Sequence, residues 1–225
     1  MNTTTSPVVA HPPASRLVWT FFLLLCFIAV AAALQGIVML ALPLPAPRDA
    51  SLASLNNAFA ARRALTLAHI IPALFFAILL PAWFSRRVRT RIRLHRRITQ
   101  AMFILGVIIG VTAFFLSLHP VGGLNEASAV ILYDGLFLFC LGRAWFLWRR
   151  GDLLLHREWM TRGIAVLLGI ATTRPVMGVF FATRSITHLS FNQFFGIAFW
   201  IGFTSTYIAG EAWLRAHPAT GVRIA

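Results

Sequence analysis

The sequence predicts an all-α fold: a polytopic membrane helix bundle of six transmembrane helices, with both termini on the cytoplasmic side. Three observations carry that expectation. Hydrophobic residues make up 59% of the 225-residue chain and charged residues only 12%, far from the balance of a soluble domain. Six apolar stretches reach the roughly 20 residues that a helix needs to cross about 30 Å of hydrocarbon. The arginines gather in short segments between these stretches, with seven of them in the thirteen residues from Ser85 to Arg97.

Taken in order, the expected spans are Leu17 to Leu42, Ala64 to Phe84, Ile98 to Leu118, Ala127 to Trp148, Gly163 to Ala182 and Phe191 to Leu214. Helices are expected because each backbone polar group in hydrocarbon must be satisfied within its own segment, and no alternating strand pattern suggests a barrel. The first apolar run, 26 residues long, exceeds a signal h-region of about 7 to 15 residues and is preceded by only Arg16, so it is read as a span. Pro43, Pro45 and Pro47 open a loop of about twenty residues after it, and Gly122 with Gly123 makes the turn between the third and fourth spans. Gly106 and Gly110, four apart on the third span, allow a neighbouring helix to approach closely. Residues 1–15 read as a disordered cytoplasmic tail, 16–216 as the transmembrane domain and 217–225 as a second short tail.

Orientation follows from the basic residues, because short loops rich in Lys and Arg stay in the cytoplasm. With the N-terminus inside, the inner side holds Arg16, the seven from Arg86 to Arg97, and Arg149, Arg150, Arg157, Arg162, Arg215 and Arg223, fourteen in all. The outer side holds Arg48, Arg62, Arg63 and Arg184, while Arg143 and Arg174 lie within helices. The expected location is the cytoplasmic (inner) membrane of a bacterium. The net charge of +14 would suit nucleic acid if the cations formed one face, but here they flank apolar runs and serve as a topology signal. The partner is therefore the lipid bilayer and not nucleic acid. All twenty basic residues are Arg, which fits a coding bias better than selection for guanidinium chemistry. Cys26 and Cys140 lie in apolar runs as small hydrophobes.

Polar residues inside hydrocarbon are the candidates for function. His69, Asp134 and Arg174 fall at similar depth, near 10 Å from the outer ends of their spans at 1.5 Å per residue. An ion pair between Asp134 and Arg174 is the natural way to lower the cost of burying both. His119 and His188, at outer ends, and Arg62, seven residues before His69, complete an outer cofactor-binding set. At the inner side, Leu94-His95-Arg96 and Leu155-His156-Arg157 each precede a span. His95 and His156 form a second candidate site, for a cofactor carboxylate, a lipid phosphate or a metal, although no metal-binding motif is present. The chain lacks a phosphate-binding glycine loop, a GxSxG elbow, an HExxH and paired CxxC motifs.

His69 early in a span, Leu94-His95-Arg96-Arg97 closing the Arg-rich loop, Arg150-Gly151-Asp152 followed by His156-Arg157-Glu158-Trp159-Met160, and Arg174 downstream together resemble the bacterial predicted membrane proteins called domain of unknown function 2306. The likeness covers roughly residues 64–181 and implies a multipass membrane fold without implying a reaction. The spacing from His156 to Met160 is also similar to a helix start in a small membrane family of cytochrome oxidase assembly. The leading functional expectation is a haem- or quinone-linked redox or respiratory-assembly protein. In it haem b would be held by His69 with His119 or His188, and arginines would pair with its propionates. The alternatives are a proton- or substrate-coupled transporter built on Asp134, Arg174 and His69, and a non-catalytic scaffold in a respiratory or envelope complex.

Overall fold

Nine helices and no strands make up the described residues, which are 16–42, 47 and 49–218 of this computed structural model. They are α1 (Arg16–Ala41), α2 (Ala50–Ala60), α3 (Arg63–Phe84), α4 (Arg86–Arg89), α5 (Ile92–Ser117), α6 (Gly123–Arg149), α7 (Leu153–Ala182), α8 (Arg184–Thr187) and α9 (Phe191–Ala216). The tail expected over residues 1–15 lies outside the described residues, as do Pro43, Pro45, Arg48 and all but His217 and Pro218 of the second tail.

Five of the described helices, α1, α3, α5, α6 and α7, are long and apolar enough to cross a membrane. The protein is a multipass membrane protein that lives in a lipid bilayer. α9 matches α1 and α5 in length at 26 residues, but Thr204, Ser205, Thr206 and Glu211 make it more polar and it is not among the five.

Two helices begin well before the expected spans. α5 starts at Ile92 rather than Ile98, and α7 at Leu153 rather than Gly163. Arg and Leu are strong helix formers, so the backbone stays helical where the side chains turn polar. His95 and His156 each become the fourth residue of a helix. Their amides already donate to the carbonyls of Arg91 and Asp152, so they are not open anion-binding donors. Asp152 caps α7 by accepting from the Leu155 amide at 3.1 Å, and Gly151 supplies the positive φ of 82° in the preceding turn.

The long helices close a ring. α1 packs on α3, α3 on α5, α5 on α6, α6 on α7, and α7 returns to α1. α9 stands outside, against α7 and α6. Without a hydrophobic drive between helices in lipid, close backbone approach supplies much of the attraction. α7 and α9 approach most closely at Gly169 and Gly202. A Cβ added at Gly202 would lie 2.8 Å from the Gly169 carbonyl oxygen and 2.9 Å from the Thr173 amide nitrogen. Gly106 and Gly110 on α5 receive the side chains of Leu141 and Leu138 from α6.

Two apolar clusters mark the ends. Phe76, Leu80, Trp83, Met102, Phe103 and Met160 are among the core residues toward the arginine-rich end, whereas Leu55, Phe191, Phe194 and Phe195 pack at the other. Leu55 brings in the short helix α2, which lies across that end. Asp49 caps α2, accepting from the amides of Ser51 at 2.8 Å and Leu52 at 3.2 Å. The amides of Leu52 and Ser51 hold the Asp49 carboxylate below its usual range.

Candidate functional site

A cavity of about 270 Å³ opens inside the ring, walled by α1, α3, α5, α6 and α7, with α2 and the start of α9 closing one end. The room comes largely from α1. It presents Ala29, Ala32, Ala33 and Gly36 to the cavity, small residues at helical spacing that leave space where Leu or Phe would fill it. The remaining lining is mostly apolar, so its few polar groups set the chemistry.

His69 on α3 is the best defined of them. Its Nδ1 lies 3.0 Å from the Thr112 hydroxyl and 3.2 Å from the Ile109 carbonyl, both on α5. The Thr112 hydroxyl has its own carbonyl acceptor in Ile108 at 2.6 Å, so both partners of Nδ1 act as acceptors. That network assigns the proton to Nδ1. Nε2 then carries a lone pair and has no hydrogen-bond partner among the described residues.

Arg174 on α7 and Asp134 on α6 line the same cavity. The ion pair expected between them is not formed: the ion pairs among the described residues are Arg162 with Glu211 and Glu158, and Arg184 with Asp49. Equal depth does not bring two side chains onto one line, and here the cavity intervenes. The interhelical pair that does form joins Arg162 Nε of α7 to Glu211 Oε1 of α9 at 2.7 Å. Arg162 also stacks on Trp159 at 5.0 Å, an indole that Arg143 approaches at 5.5 Å.

Arg62 and His119 line the cavity near its α2 end. His188 does not line it. It sits exposed at the end of α8 with φ 51°. Among residues that sequence reasoning passed over, Tyr133 lines the cavity and shares a 2.6 Å hydrogen bond with Thr204 of α9. Glu126 lines it too, while accepting from the Gly122 amide at 2.6 Å. The small-residue spacing on α1 was a visible signal for this cavity.

The two histidines at the arginine-rich end converge on one indole. The Trp83 ring lies 5.8 Å from that of His95 and 6.4 Å from that of His156. His156 is also flanked by Phe103 and Trp148, and its Nδ1 donates to the Ala144 carbonyl at 2.9 Å. The Trp83 N–H donates to the Thr99 hydroxyl at 3.1 Å, which donates to the His95 carbonyl at 2.9 Å. His95 Nδ1 is buried without a hydrogen-bond partner among the described residues. No group of three His, Cys, Asp or Glu side chains among the described residues is placed to hold a metal ion.

A family model described as predicted membrane protein, DUF2306, matches residues 66–214. The chain belongs to this family. The match takes in the ring from α3 to α7 and most of α9, and so extends past the 64–181 stretch in which the resemblance was first legible. Of the cavity polar groups, Thr66, His69, His119, Glu126, Asp134 and Arg174 fall inside it, whereas Arg62 and the small-residue wall of α1 lie before it. No curated protein and no solved structure matches this DUF2306 protein.

Proposed function

We propose that this DUF2306 protein binds the head ring of a lipid-soluble quinone in the ring cavity and serves a respiratory membrane system. The observation that carries this reading is the cavity's unneutralised polar set. His69 Nε2 is an acceptor fixed by the bond at Nδ1, and Arg174 and Asp134 are held apart inside a mostly apolar space. A quinone carbonyl accepts from a guanidinium and a quinol hydroxyl donates to an imidazole lone pair, so both oxidation states find partners. A volume of about 270 Å³ is just below the roughly 300–1,000 Å³ of small-molecule pockets. It suits a single ring with its tail in lipid better than a haem macrocycle, even though His69 has the protonation of an axial ligand. The remaining part of the reading is topological: α9 crosses as a sixth span, and both termini face the cytoplasm of a bacterial inner membrane, an orientation that the arginine distribution supports.

Binding of a short-chain quinone analogue to the detergent-purified protein, followed by tryptophan quenching, tests the proposal. Wild type should saturate, and His69→Ala should bind about tenfold more weakly, the cost of roughly one charge-assisted or buried hydrogen bond. Quenching that never exceeds partition into empty micelles would sink the quinone reading. A Soret band after expression with ample haem, weakened by His69→Ala, would replace quinone with haem b.

A proton-coupled carrier is the second reading, favoured by Pro175 beside Arg174 and Pro72 beside His69. Pro175 has no N–H to offer the Ala171 carbonyl on the cavity wall. Proteoliposome flux indifferent to Asp134→Asn would argue against it.

A further inference from the structure

At the arginine-rich end a second, larger recess of about 1120 Å³ lies between α1, α7 and α9, meeting the ring cavity at Leu168. Its walls carry Trp19 and Phe22 of α1 and Trp213 and Leu214 of α9, the apolar and indole surfaces that acyl chains and the glycerol region favour. Its mouth holds Arg86 and Arg89 of α4 with Arg157 of α7. Among the described residues the only carboxylate lining it, Glu158, stands 3.7 Å from Arg162. Neither Arg86 nor Arg89 has an ion-pair partner among the described residues. Partial burial and the neighbouring Arg86 lower the pKa of Arg89, as expected of two cations placed side by side.

We propose that this recess is a binding site for one anionic phospholipid. Its phosphate is received by Arg86, Arg89 and Arg157, and its chains lie along the α1, α7 and α9 walls. Three guanidiniums at the rim of an apolar groove between helices complement a headgroup whose charge sits at the depth where hydrocarbon ends. A zwitterionic lipid offers the same chains but cancels much of the charge, and inorganic phosphate offers the charge without the chains. The site therefore discriminates on both parts of one molecule.

The test is the melting temperature of the full chain in a mild detergent with added phosphatidylglycerol, phosphatidylcholine or inorganic phosphate. Phosphatidylglycerol should raise Tm by roughly 5 °C near saturation, and the other two should not. The double variant R86Q/R89Q should lose the shift. R93Q/R97Q, which removes two charges from the start of α5 that do not line the recess, should keep it. Equal loss in both double variants would mean diffuse surface attraction and overturn the proposal, as would an equal response to phosphatidylcholine or to phosphate. A shift that appears only after residues 1–15 are removed would also overturn it, since the chain's own leading segment would then be the occupant. Should R86Q/R89Q fail to fold, native mass spectrometry of wild type decides. One tightly retained phosphatidylglycerol, with no phosphatidylcholine retained, is expected, and indiscriminate retention would overturn the site.

Discussion

The α7–α9 seam and the ring cavity are built from the same kinds of residue and behave oppositely. At the seam Arg162 meets Glu211 and the backbones touch at Gly169 and Gly202, while beside it Tyr133 of α6 meets Thr204 of α9. Across the cavity, Arg174 and Asp134 form no ion pair and His69 keeps one ring nitrogen unoccupied. Polar groups in a membrane protein hold helices together where they are satisfied and mark a binding place where they are not.

The largest effect that would sharpen this contrast is at the glycines. Gly202→Leu drives a side chain into the backbone of α7, and overpacking of that kind costs about 3 kcal/mol or more. The variant should lose its monodisperse peak in size-exclusion chromatography. Glu211→Ala should come next. It leaves Arg162 with only the longer contact to Glu158 at 3.7 Å in a partly exposed seam, a loss of about 1–2 kcal/mol once the broken pair is discounted for exposure. Removing Arg162 as well should recover part of that loss in a double-mutant cycle.

Asp134→Asn and Arg174→Gln should change stability by less than about 0.5 kcal/mol, while each lowers quinone-analogue affinity severalfold. Should Asp134→Asn instead unfold the protein as readily as Glu211→Ala, the cavity carboxylate would be structural and the contrast would fail.

The smallest effect concerns α2. Because Asp49 has a lowered folded-state pKa, its contribution is fully present above the unfolded carboxylate pKa. That contribution is lost as pH falls through the folded value. Amide exchange at Ser51 and Leu52 should therefore accelerate at acid pH relative to the rest of α2. Asp49→Asn, which still caps but does not titrate, should flatten that dependence.

Much of this was legible beforehand. Hydropathy located the helices because hydrocarbon admits few alternatives, and the C-terminal ends of α3 and α7 at Phe84 and Ala182 coincide with the expected ends. The depth argument gathered His69, Asp134 and Arg174 to one region, and these three line one cavity together with Arg62 and His119, which were added from helical spacing and a helix end. It failed for the ion pair because depth fixes position along a helix axis and says nothing of azimuth. Glu211 was passed over for a related reason, since a lone acid near a helix end has no visible partner until α7 and α9 are neighbours. His188 was added on depth alone, and the left-handed turn at the end of α8 leaves it exposed outside the cavity.

α7 belongs to both regions, walling the cavity while being locked to α9 by a contact that leaves no room for even one methyl group. Such a joint transmits force without sliding, so α7 and α9 form the stiff frame of the bundle. Any widening needed to admit a ligand falls to the helices not locked in this way, among them α1 with its cavity-lining alanines.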